Sequence, residues 1–250
     1  MSQLDDLLRD LVIANRILSK EDVVDAYGHI SVRHPHNSKR FFMSRSLAPE
    51  LVERHDLIEF DQEGEPVKDK RQPYLERFIH AAILEARPDV TSVVHAHAED
   101  TLPFSLVSTP LEPVIHSGSF IGGKVPVWDI RKKFGATNLL VTNMMQGRDL
   151  AKCMGDGNVA LMRGHGFVSA ARSIIEVVRL SVYLPRNARV QMNAMRIGGK
   201  VKVLSKGEIA ARAAGYKPDS PETWRAWEYW ATRAGCGDKI GKPLRTRTEM

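Results

Sequence analysis

The segment TSVVHAH, residues 91–97, sets two valines directly before two histidines spaced two apart. A compact β-branched run of this kind reads as a central strand. Alternate residues of an extended segment share a face, so the His95 and His97 imidazoles can reach one point in space. They stand at the end of the strand, where a sheet commonly presents its functional groups. Neutral imidazole is a preferred ligand of first-row divalent metals. Taken alone, the pair also reads as a core pair or an exposed strand end, so a third residue has to decide.

That residue is His165. NVALMRGHGFVSAA (158–171) reads as two strands meeting at Gly164-His165-Gly166. Glycine accepts the strained dihedrals of a sharp bend, which can swing His165 toward the first pair. Three histidines from two strands match a catalytic zinc-type site that keeps a position open. Before the HAH strand, YLERFIHAAILEAR (74–87) repeats apolar positions at three and four and predicts a helix stopped by Pro88. Glu76 then falls in the first turn, with His80 one turn later on the same face. A carboxylate there can ligate a metal or act as a base, or it can simply complement the helix dipole.

Working outward, residues 3–17 read as an amphipathic helix. Short strands follow at HISVR (29–33), RFFMS (40–44) and DLIEFD (56–61), parted by the turn segments HPHNS and DQEGEP. A helix over 98–107 and a Gly- and Ser-rich loop (116–123) come next. A long helix over about 172–196 contains Pro185, which should kink or divide it. A helix near 220–233 carries Trp224, Trp227 and Trp230 and needs a surface, either its own domain or a neighbouring subunit. The organisation expected is one layered α/β domain over 1–200, with a helical extension over 201–250 that ends in a basic tail, KIGKPLRTRTEM.

Composition narrows the function class. A 43% hydrophobic and 26% charged chain is ordinary for a soluble globular protein, which argues against disorder. No apolar run is long enough for a bilayer, and the acidic, amphipathic N-terminus does not read as a signal peptide. Two cysteines make no framework, which suits a reducing cytoplasm. The net charge of +6 comes without a basic stripe or a nucleic-acid motif, so no nucleic-acid partner is expected.

GHISVR, the Glu76/His80 helix, VVHAH and RGHG, in this order, resemble the class II aldolase/adducin family over roughly residues 5–200. The resemblance implies a three-layer α/β/α fold around a mixed, mostly antiparallel sheet. It further implies one divalent ion (Mn, Zn or Fe) on His95, His97 and His165, with Glu76 as the adjacent acid/base carboxylate. A ring homotetramer with active sites between subunits also comes with it. Adducin-like members lose the metal histidines, which this chain keeps.

The departures point within the family. Gly28-His29-Ile30-Ser31 stands where sugar-phosphate aldolases have a G-N-x-S segment, and Ser44-Arg45-Ser46 replaces their phosphate-gripping Ser-Gly turn. Ile115-His116-Ser117 lacks the tyrosine those enzymes use as a proton donor. An arginine fork suits a carboxylate where a glycine nest suits a phosphate. MSRSLAP, PYLERFIH and MRGHG are similar to the decarboxylase branch, which acts on hydroxylated aromatic acids, dihydroxyphthalate and pyridine-dicarboxylate types included, or on ring-opened dienoic acids. The expectation is a metal-dependent decarboxylase of a small carboxylic acid in aromatic catabolism. Glu76, His80 or His116 would supply the proton, Arg45 would hold a second carboxylate, and Ser44, Ser46 and His29 would complete a polar wall. A class II aldolase or dehydratase acting on a sugar, a sugar phosphate or a related oxygenated substrate is the alternative.

Overall fold

The computed structural model describes residues 3–217 and 220–241. The chain runs α1 (Gln3–Lys20), β1 (His29–Arg33), β2 (Arg40–Ser44), β3 (Leu57–Asp61), α2 (Arg77–Ala86) and β4 (Ser92–Ala96). It continues through α3 (Leu102–Leu106), β5 (Val127–Trp128), α4 (Arg131–Phe134), α5 (Met144–Met154), β6 (Val159–Met162) and β7 (Gly166–Ala171). It ends with α6 (Ile174–Ile197), α7 (Lys206–Ala214) and α8 (Pro221–Arg233). One seven-stranded sheet has the order β3-β2-β1-β4-β7-β6-β5, antiparallel except for the β5–β6 pair.

Alternation along the strands divides the core in two. Ile30, Val32, Val94, Ala96, Leu161 and Phe167 face α1 and α6, against which α8 packs. Phe41, Met43, Val93, Ala160, Met162 and Val168 face α2 and α5. The result is the expected three-layer α/β/α architecture, with the HAH strand β4 at the sheet centre. His29 and Ser31 share their face with Val93 and His95, because β1 pairs with β4 at His29–His95 and Ser31–Val93. Apolar alternation therefore carries a polar seam onto the α2 side.

Several boundaries differ from the sequence reading. α2 starts at Arg77 and not at residue 74, so Glu76 is the residue before the helix and not in its first turn. The preceding chain is tied to the end of β2: Arg45 and Pro73 form a β-bridge, and the Ser46 N–H donates to Gln72 O at 2.8 Å. The 98–107 helix is a 3-10 turn, Glu99–Thr101, followed by α3. α6 runs unbroken through Pro185, with Leu184 and Ala188 buried on either side of it. Ser173 caps its start by accepting the Glu176 N–H, and Gly198, at φ +96°, ends it. The elements β5, α4, α5 and α7 have no counterpart in the sequence reading. Trp224, Trp227 and Trp230 are buried against the chain's own core, which settles where their helix packs. Residues 242–250 of the basic tail lie outside the described residues. No described helix is long and apolar enough to cross a membrane.

The α2–α5 contact holds the helix that follows Glu76. At Gly147 of α5 a Cβ would stand 2.4 Å from Phe78 O and 2.9 Å from Ala82 Cβ, so the two backbones touch. Alanine gains about 1 kcal/mol of helix propensity over glycine, less than a rigid backbone overlap costs. Gly147→Ala should therefore lower the unfolding free energy by about 1–3 kcal/mol in urea titrations. Gly123→Ala, with nothing within 4 Å of the added carbon, should change it by under about 0.5 kcal/mol. Equal effects at both positions would contradict the tight α2–α5 seam.

Candidate metal centre and active-site cavity

Three elements bring the predicted ligands together. His95 lies on β4 and His97 one residue past its end, while His165 occupies the turn between β6 and β7. Gly164 takes φ +64°, where a side chain is strained. At Gly166 a Cβ would stand 2.3 Å from Ala96 O and 3.0 Å from the His97 ring, so only glycine lets this turn close on β4. The RGHG spacing is thus a steric requirement of the site. Glu76 enters from the α2 layer, its Oε1 accepting the Val141 N–H at 2.9 Å.

Four ligand atoms, one each from Glu76, His95, His97 and His165, lie within 4.8 Å of one another. His95 Nε2 is 3.1 Å from His97 Nε2 and 3.4 Å from Glu76 Oε2, which is 3.5 Å from His165 Nε2. In a tetrahedron with bonds of about 2.0–2.1 Å, neighbouring donors stand about 3.3–3.4 Å apart. The three distances bracket that value, so the donor set fits a single divalent ion. His95 Nδ1–H donates to the Phe167 carbonyl at 3.0 Å, which leaves Nε2 bare in the neutral ring and turned to the cluster. Burial, then the His95 and His165 imidazoles, push the His97 pKa down to about 4, keeping that ring in its ligating form. Burial works to raise the Glu76 pKa. The adjacent His95 and His165 more than reverse it, and the carboxyl sits well below its ordinary range.

Behind the cluster, Ser31 Oγ bonds His80 Nδ1 and His80 Nε2 bonds His29 Nδ1, both at 2.7 Å. His80 is fully buried, and burial followed by the neighbouring His95 pushes its pKa down to about 3. Burial and the facing His80 also hold His29 well below its ordinary value. With both rings neutral, the line has two tautomers, and they differ in whether His29 Nε2 donates or accepts. His80 therefore stands behind His29, which lines the cavity.

That cavity, of about 390 Å³, is lined by Tyr27, His29, Ser46, Leu47, Tyr74, Leu75, Leu140 and the cluster residues Glu76, His97 and His165, together with small residues. None of the described residues lining it is Lys or Arg. Arg45 lies elsewhere, with its Nε 2.7 Å from Asp56 Oδ1, whose side chain is 3% exposed. A buried carboxylate needs a counter-charge, and Arg45 supplies it. Ser44 is buried, its Oγ 3.1 Å from Tyr74 OH. His116 is exposed and lines a different cavity. Tyr74 was missed from sequence. Its hydroxyl donates to Leu47 O, and its ring centroid is 4.6 Å from that of His29. Its place two residues before Glu76, in the non-helical lead-in to α2, was the available signal.

Residues 9–192 match the family model described as Class II Aldolase and Adducin N-terminal domain. The chain belongs to the class II aldolase/adducin family. Among the relatives of this family member, Decarboxylase tropJ of Talaromyces stipitatus is 34% identical, the alignment covering 92% of this chain and 94% of that protein. The 3,4-dihydroxyphthalate decarboxylase of Arthrobacter keyseri is 28% identical over 80% of this chain and 83% of its own length. The solved L-fuculose 1-phosphate aldolase from Glaciozyma antarctica shares the class II aldolase fold with a TM-score of 0.73, at 23% identity over 94% of this chain and 92% of its own.

Equilibrium dialysis with zinc or manganese should find one ion per chain. His97→Ala should weaken binding by more than the roughly 10–100-fold cost of losing an outer-shell partner, with an unchanged circular-dichroism spectrum. Undiminished binding in the variant would remove His97 from the site.

Proposed function

We propose that this chain is a divalent-metal-dependent decarboxylase of a hydroxylated aromatic carboxylic acid. The observation that carries the reading is the pairing of a cluster of three histidines and a glutamate with a cavity walled by Leu47, Tyr74, Leu75 and Leu140 and free of Lys and Arg among its described lining. Such walls suit an aromatic ring. A sugar phosphate would find no lysine or arginine among the described lining, and the decarboxylase names of the two relatives agree with the choice. Arg45 is paired with Asp56, so a second ring carboxylate, as in a phthalate, would be met by His29, Ser46 or Tyr74 instead.

A divalent ion bound there would act as a Lewis acid toward the charge left when the carbon–carbon bond breaks. The protein supplies the proton handling. Glu76 Oε1 accepts the Val141 amide and Oε2 faces the three histidines, so Oε2 would act as the base when a substrate oxygen takes its place in the donor set. Glu76 takes the proton of the hydroxyl ortho to the departing carboxylate. As the bond to carbon dioxide breaks, its electron pair stays on the ring carbon, and Glu76 returns the proton to that carbon. His29, backed by His80 and Ser31, presents a donor or an acceptor to the hydroxyl or carboxylate oxygens. Ser46 and Tyr74 complete the polar edge. The homotetramer implied by the family and a reducing cytoplasmic setting, in keeping with free Cys153 and Cys236, belong to the same reading.

Carbon dioxide release should be seen from 2-hydroxybenzoic or 3,4-dihydroxyphthalic acid with added manganese, zinc or iron and not after chelation. Glu76→Gln should lower kcat by about 10²–10⁴-fold. No release from either acid, together with cleavage of L-fuculose 1-phosphate, would replace this reading with aldol chemistry.

A further inference from the structure

A second cavity, of about 750 Å³, shares no lining residue with the metal cavity. His116, Ser117, Arg179, Arg186, Arg212 and Arg225 line it, with Glu222 as the one acidic side chain among the described lining. Its size falls within the usual range for small-molecule sites. Arg186 already has a partner, Glu21, at 2.6 Å. Arg179 and Arg212 do not have one each. Both converge on the same oxygen, Glu222 Oε1, Arg179 Nη2 at 2.6 Å.

Arg179 is the decisive residue. It comes from α6 and is only 7% exposed, yet its Nε and Nη1 meet no acceptor among the described residues. The Arg212 Nε is in the same state. Both guanidiniums rest on the Phe120 ring, with Cζ 4.3 Å and 5.0 Å from its centroid, which fixes where their free edges lie. Two like charges sharing one carboxylate leave a positive excess, and buried donors without acceptors are costly. An oxyanion in the cavity would offset that positive excess and give the two guanidiniums a second acceptor to share. The rigid guanidinium fork matches the paired oxygens of a carboxylate or a phosphate.

We propose that this cavity is a binding site for a small molecule bearing an oxyanion, either a carboxylate or a phosphate, gripped by Arg179 and Arg212 and separate from the metal cluster. His116 and Ser117, at the rim, add donors to the same ligand. The site is independent of the decarboxylase reading, because its ligand need not be the substrate.

Isothermal titration of the full chain with inorganic phosphate and, separately, with phthalate tests it. One saturable site per chain is expected. Tighter binding of phosphate would assign a phosphoryl ligand and tighter binding of phthalate a carboxylate one. Arg212→Gln, at the better-exposed of the two positions, and Arg179→Gln should each weaken binding about ten-fold or more. His97→Ala should leave it unchanged. The site is overturned if neither anion saturates the parent, if Arg212→Gln binds as tightly as the parent, or if His97→Ala abolishes binding and so moves the anion to the metal cluster.

Discussion

Four ligand atoms carried by separate parts of the chain must meet within 4.8 Å, and the close approach of the Gly164–Gly166 turn to the end of β4 makes this possible. The sheet order puts β4 and β7 side by side at the centre, and that pairing sets His165 beside His95 and His97. α2, held by backbone contact with α5, brings Glu76 in from the layer above. Imidazoles this close, with His97 kept unprotonated by burial and His95 locked by a backbone acceptor, form a donor set for a cation more readily than a packing device.

The polar seam on the α2 face extends this constraint into the core. His29 pairs with His95 across the sheet, and its other side is bonded to His80 and through it to Ser31. A buried polar line of this kind is tolerated because each of those contacts is a hydrogen bond. It also fixes the His29 ring against Tyr74 at the cavity wall, so the shape of the cavity depends on residues that never touch it.

Much of this was legible in the sequence, for physical reasons. β-branched runs ending in alternating histidines, and a histidine framed by glycines, have few uses that satisfy both sterics and burial, so the sheet centre and the meeting of His95, His97 and His165 could be read directly. The two-residue β5 and the short polar α4 and α7 were not legible, because tertiary contacts stabilise them and periodicity does not. Arg45 shows a different limit. Its fork suits a carboxylate in either reading, and only the structure places a buried carboxylate of the protein, Asp56, against it. Tyr74 escaped because the helix was expected to begin three residues early, which hid the non-helical lead-in that carries the tyrosine to the cavity. The Glu76–Val141 contact spans 65 residues and uses a backbone amide, so no side-chain pattern announces it.

Anomalous scattering from crystals of the metal-loaded chain should show a single ion shared by residues of β4 and of the β6–β7 turn. One ion bonded to the imidazole nitrogens of His95, His97 and His165 at about 2.0–2.2 Å is expected. An ion bound elsewhere, or one with His165 turned away from it, would contradict it.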